Sequence, residues 1–219
     1  MIEDLYQSHV FYDVNKDGRD FVVGDIHGFI NKFTEKLNEV EFNPEVDRMF
    51  SVGDLIDRGP HSLECLSLLQ KPWFHAVLGN HEQMMIDSLD GDEQVMDVWE
   101  GNGGKWHRDV PFDVLNAWVD ELETLPLAIT VNTDSGQIGI THANPPEDWE
   151  HAINRTRFFE NLFLWGRTKI MHRDSKEIEN IYMTVHGHTP TAGVQQFGNS
   201  YFIDTLRNGG GELTFMRIQ

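Results

Sequence analysis

The 219-residue chain has a single cysteine, few cations and no long apolar run, and each shortage excludes something. Cys65 alone rules out an internal disulfide framework and fits a reducing compartment. No stretch approaches the roughly 20 apolar residues that a membrane-spanning helix needs. The start, "MIEDLYQSHVFYD", has neither the basic segment nor the apolar stretch of an export signal. A cytoplasmic location with no membrane partner is therefore expected. Lys and Arg number 17 against 36 Asp and Glu, a formal net charge of −19, so the overall field repels nucleic acid and anionic lipid. Nucleic acid is not expected as a partner, and anything anionic that binds must be drawn by a local site. Repeats, low-complexity tracts and linkers are also missing, so residues 1–219 are expected to form one domain, present as a monomer. What the chain does have is ordinary for a globular protein, with 39% hydrophobic, 11% aromatic and 24% charged residues.

Short β-rich runs alternate with helical patterns. "RDFVVGD" (19–25), "RMFSVGD" (48–54) and "WFHAVLGN" (73–80) read as buried strands ending in Gly-Asp or Gly-Asn. Between them, "FINKFTEKLNEV" (29–40) and "SLECLSLLQ" (62–70) place apolar residues at helical spacing, which predicts a β-α-β-α-β unit and a parallel sheet. Residues 113–124 read as a helix, and "LAITV" and "QIGITH" flank the turn "NTDSG" as a hairpin. A helical stretch near 151–163 follows, then strands in "IYMTVHG", "QQFGNSYFIDT" and "ELTFMRI".

Two stretches imitate sites. "DVNKDG" (13–18) opens like a calcium-binding EF-hand loop, but the twelfth position, where a bidentate Glu is needed, is Gly24 and the segment runs into a strand. A hairpin turn is the expected structure. Cys65 is followed by "LSLLQK", with no phosphate-binding loop and no arginine, so it reads as a small apolar residue on a buried helix face rather than a nucleophile.

The strand ends carry the chemistry. Gly24-Asp25-Ile26-His27-Gly28, Gly53-Asp54-Leu55-Ile56-Asp57-Arg58-Gly59 and Gly79-Asn80-His81-Glu82 would open on the same edge of one parallel sheet, where open α/β folds place their sites. Singly, an Asp after a strand is a helix cap and "GDIHG" a turn. Together they bring oxygen and nitrogen ligands to one rim, a set suited to a pair of divalent cations such as Mn²⁺, Fe or Zn²⁺. Downstream, "GITHANPP" ends a strand at His142, and "MTVHGHTP" ends one at His186 or His188.

In order and spacing, GDIHG, GDLIDRGP, GNHE, a strand-end His-Ala, WGR and GHTP resemble the phosphoprotein phosphatase (PPP) metallophosphatases, and most of all their short bacterial and phage lambda-type members. The likeness covers nearly the whole chain. It implies an α/β fold, the calcineurin-like metallophosphoesterase sandwich of two mixed β-sheets flanked by helices. It also implies two divalent metals, with Mn²⁺ first among the candidates: Asp25 and His27 on one, Asp54 bridging, and Asn80, His142 and His188 on the other. His188 is chosen because the family's ligand is the histidine inside "GHT", and His186 is expected either to support the ligands from behind or to be structural. The implied activity is hydrolysis of phosphoserine or phosphothreonine in proteins, with phosphotyrosine a further candidate. Hydroxide activated by the two metals would attack phosphorus, and His81 would act as general acid, held by Asp57. Arg58 and Arg167 would bind the phosphoryl oxygens, with Asn80 beside them.

Two positions depart from the family pattern. A basic residue usually precedes GNH, whereas this chain has Leu78, and the C-terminal DTG becomes Asp204-Thr205-Leu206. Two other functions are weighed against protein phosphatase. A symmetrical dinucleoside tetraphosphate hydrolase shares the metal motifs, but the short length and "LWGR…GHTP" stand against it. A metal-binding interaction protein without catalysis is opposed by the intact His81, Asp57 and Arg58.

Overall fold

The structure is a computed structural model describing residues 8–154 and 156–219. After β1 (His9–Tyr12), the chain runs β2 (Asp20–Val23), α1 (Ile30–Glu39), β3 (Arg48–Ser51), α2 (Ser62–Leu66) and β4 (Phe74–Ala76). Three helices follow, α3 (Asn80–Leu89), α4 (Glu93–Gly101) and α5 (Phe112–Leu122), with a 3₁₀ segment over Gly104–Asp109. The rest alternates again: β5 (Ala128–Thr133), β6 (Gly136–Thr141), α6 (Arg157–Trp165), α7 (Thr168–Met171), β7 (Met183–His186), β8 (Gln195–Phe197), β9 (Ser200–Phe202) and β10 (Phe215–Arg217).

Two mixed sheets result. One has the order β10-β2-β3-β4, with β2, β3 and β4 parallel and β10 antiparallel, as the βαβαβ pattern requires. The other has the order β1-β5-β6-β7-β9-β8, in which β6, β7 and β9 are mutually parallel. Strand alternation builds the layers. Val22 and Phe50 pack with Ile129, Val131, Ile138, Ile140 and Val185 between the sheets. Their neighbours Phe21, Val23 and Met49 join Phe33 of α1 and Met84 and Met85 of α3 in a second cluster. Ala128 packs with Trp149, Ala152 and Ile178 in a third.

Several expectations are refined. Residues 13–18 do not close a hairpin, because β1 pairs with β5 while β2 pairs with β3 and β10, so this loop carries the chain from one sheet to the other. Its Asn15 accepts from the Asp17 and Gly18 N–H groups and donates to Asp20, so this member of the calcium-loop mimic is used to shape the turn. Residues 195–205 form two strands rather than one, turning at Gly198, where φ is +59°. The helical stretch near 151–163 divides into a 3₁₀ turn over Trp149–Ile153 and α6. Cys65 is fully buried and its thiol is pushed up to about 12 by that burial, so it is inert.

Candidate active site

Parallel strands β2, β3 and β4 of one sheet and β6, β7 and β9 of the other release their C-terminal ends at a common edge. There they deliver Asp25 and His27, then Asp54, Asp57 and Arg58, then Asn80 and His81, and from the second sheet His142, His188 and Asp204. Every one of these except Arg58 is 7% exposed or less. The turns that hold them are strained: His27, Asp54, Asp57, Arg58 and His188 all have positive φ, between 46° and 74°.

Asp54 lies at the middle. Its Oδ2 is 3.4 Å from His27 Nε2, and its Oδ1 is 3.4 Å from His142 Nε2. Two groups of possible ligand atoms therefore share Asp54, one with His27 and His81 and the other with His142 and His188. Asn80 Oδ1 lies 2.8 Å from both His142 Nε2 and His188 Nδ1. Asp25 Oδ2 is 3.9 Å from His27 Nε2 and accepts the His188 N–H.

The ring tautomers decide what this arrangement can hold. His27 Nδ1 donates to the Ile56 carbonyl and His142 Nδ1 to the Val52 carbonyl, each at 2.8 Å. In the neutral rings each Nε2 is then a lone pair directed at a carboxylate or amide oxygen. Burial keeps these rings neutral, holding His27 and His188 at about 3 and His142 below its ordinary value. His142 Nε2 and His188 Nδ1 thus face the Asn80 oxygen, and His27 Nε2 faces Asp54 with Arg58 also at hand; lone pairs gathered this way in a buried pocket fit divalent cations between them. The carboxylates agree. Burial, then Asp204 and Asp54, push Asp25 well up, and burial, then Asp54, push Asp204 to about 7. Asp204 Oδ2 is buried with no hydrogen-bond partner.

His81 is held differently. Its Nδ1 lies 2.6 Å from Asp57 Oδ2, and its Nε2 points toward Asp54 Oδ2, 3.9 Å away. Burial lowers its pKa, but the charges of Asp54 and Asp57 outweigh that and hold it above the usual 6.5. The two arginines are exposed at the rim. Arg58 reaches His27 Nε2 at 2.5 Å and His81 Nε2 at 3.0 Å, and Arg167 Nε donates to His188 Nε2 at 2.9 Å.

All the residues nominated from the sequence thus converge, and His186 does not join them. It is buried between Thr141 and Thr184, hydrogen-bonded to both, and serves the packing of β6 against β7. Three contributions are not among the residues nominated from the sequence. Glu82, visible in the chain only as part of its motif, is fully buried and accepts from the N–H groups of Asp54, Leu55 and Gly79, clamping two strand-end turns together. Asp204 follows β9, and its charge reaches Asp25. Trp99 and Trp106 donate to Asp57 at 2.9 and 2.7 Å.

The pattern of the calcineurin-like phosphoesterases matches residues 21–215. The chain belongs to this family. As a metallophosphoesterase it is 35% identical over 205 residues to serine/threonine-protein phosphatase 1 of Salmonella typhimurium, covering 91% of each chain. It is 33% identical over 205 residues to serine/threonine-protein phosphatase 2 of Escherichia coli, covering 91% of this chain and 92% of the relative. Bis(5'-nucleosyl)-tetraphosphatases are also similar, either over 34% of the chain or at 28% identity over 90% of it. A protein serine/threonine phosphatase from Saccharomyces cerevisiae has the same fold, with a TM-score of 0.62 at 20% identity over 90% of this chain and 70% of that one. Two mixed sheets flanked by helices and a His/Asp cluster at their edge are what this phosphoesterase family leads one to expect.

Proposed function

We propose that this metallophosphoesterase hydrolyses phosphoserine and phosphothreonine in proteins at a site for two divalent cations. The observation that carries this reading is Asp54, with His27 on one carboxylate oxygen and His142 on the other at 3.4 Å each. Asp25, His27 and Asp54 would hold one cation, and Asp54, Asn80, His142 and His188 the other, with Mn²⁺ the first candidate. When bound, such a pair supplies Lewis-acid polarisation of the phosphoryl group and an acidified water.

The chain's own side chains do the rest. Arg58, beside His27 and His81, and Arg167, beside His188, take the non-bridging phosphoryl oxygens, for which planar guanidinium donors are suited. His81 is oriented by Asp57, and its Nε2 accepts from Arg58 in the structure; with Arg58 turned to the phosphoryl group, Nε2 takes up a proton and delivers it to the leaving alkoxide of the serine or threonine. The raised pKa of His81 favours that protonated form near neutral pH. Glu82 keeps the Asp54 and Asn80 turns in register while this happens.

Tetraphosphatase relatives make the dinucleoside tetraphosphate the substrate to exclude. With Mn²⁺-reconstituted protein, kcat/KM is expected to be higher for a phosphoserine or phosphothreonine peptide than for diadenosine tetraphosphate. The reverse order would overturn the protein-phosphatase reading while leaving the metal site intact.

A further inference from the structure

The carboxylate of Asp57 is completely buried, yet among the described residues no lysine or arginine hydrogen-bonds to it. Three N–H groups converge on it instead. Oδ2 receives His81 Nδ1 at 2.6 Å and Trp99 Nε1 at 2.9 Å, and Oδ1 receives Trp106 Nε1 at 2.7 Å. An indole N–H only donates, never accepts and never changes charge near neutral pH, so it can orient a carboxylate without competing for its proton. Burial alone raises the Asp57 pKa, and the hydrogen bonds from His81, Trp106 and Trp99 act against it.

The segment that brings these rings in is built for the purpose. It leaves α3, turns through α4 and comes back in the 3₁₀ segment, with Trp99 fully buried and Trp106 half-buried. Gly103, at φ +115°, passes so close to the Arg58 backbone that a Cβ would sit 2.6 Å from Arg58 N. At Gly104 a Cβ would come 2.6 Å from the Trp99 indole. The two glycines let the segment lie on Asp57 and Arg58 with both indoles turned inward. Its outer side is fastened by Glu100, which accepts from Arg108 Nε at 2.7 Å and pairs with His107 at 3.0 Å.

We propose that Trp99 and Trp106 are positioning residues for His81, acting through Asp57. They fix the carboxylate plane, the carboxylate fixes the imidazole, and Nε2 is thereby aimed at the leaving oxygen. This rests on the reading of His81 as general acid.

The test uses Mn²⁺-loaded wild type, Trp106→Phe, Trp99→Phe and His81→Asn on a series of aryl phosphates of increasing leaving-group pKa, with melting temperature measured for each. His81→Asn is expected to lose on the order of 10²–10⁴ in kcat on the poorest leaving groups and far less on the best. Trp106→Phe, which keeps a ring in place and deletes only the donor, is expected to lose up to roughly tenfold in kcat with the same leaving-group dependence and unchanged KM, one step further out than the direct imidazole partners whose loss costs roughly 10–100-fold. Trp106→Phe added to Asp57→Asn is expected to cost nothing more, because both act through one carboxylate. Trp106→Phe activity that falls equally on all leaving groups, or not at all, overturns the inference while a normal His81→Asn pattern keeps the general acid. A flat His81→Asn pattern removes the general acid and the inference with it. Should the buried Trp99→Phe fail to fold, the half-buried Trp106 carries the same test.

Discussion

Leu78 stands where the family resemblance implies a basic residue, and its surroundings are apolar. It is 7% exposed, packs with Met84, Met85, Leu122 and Leu127, and its N–H donates to the Pro126 carbonyl. It is part of the packing, on the wall of a cavity it shares with Gln83, Leu127 and Trp165. Leu78→Ala is expected to cost about 2–4 kcal/mol of stability, lowering Tm by roughly 5–12 °C. KM for phosphomonoesters should not move, and a KM that rose with Tm unchanged would place this side chain in the substrate site instead. Leu206, the other departure, is likewise 1% exposed in the core. At this scale the sequence is most legible where one side chain carries the chemistry at a strand end, as with Asp25, His27, Asp54 and Asn80. Trp99 and Trp106 are not legible because their partner lies 42 and 49 residues away and nothing local marks them as donors. Asp204 stands out in the chain only as a motif letter, and its unpaired oxygen exists only once β9 lies beside β7.

Among the elements, the parallel β2-β3-β4 unit is readable because its strands are buried on both faces and so appear as continuous apolar runs between helical spacings. β1 is not, since "HVFY" puts a buried His9 and an exposed Phe11 in an edge strand with no alternation to follow. β1 owes its place to pairing with β5, where His9 Nε2 lies 2.8 Å from Thr130 Oγ1. Burial holds His9 down to about 4. Its folded pKa is below the unfolded 6.5, so the unfolded chain binds more protons between those values, and the stability His9 allows at pH 7 is lost as pH falls toward 4. Between pH 7 and pH 5 the Tm of the wild type is expected to fall further than that of His9→Gln. Equal falls would show that β1 does not feel this histidine.

For the molecule as a whole, the charge has two scales. The body carries −19, while the proposed site would gather two divalent cations and two arginines around Asp25 and Asp54, so an anionic substrate is attracted only at close range. The intervening patterns yield the parallel β-α-β-α-β unit, while the ordered motifs carry the family resemblance, and the two-sheet sandwich follows from that resemblance alone. That the second sheet brings His142 and His188 to ligands from the first is legible only through the family resemblance, because no local pattern fixes how two sheets face each other. The central claim is that Asp54 joins two cation sites, and metal stoichiometry tests it most directly. After equilibration with Mn²⁺ and removal of loosely held ions, elemental analysis is expected to find about two ions per wild-type chain and fewer than one in Asp54→Asn, since both sites lose a shared charged ligand. Two ions retained by Asp54→Asn, or active wild-type protein containing none, would contradict it.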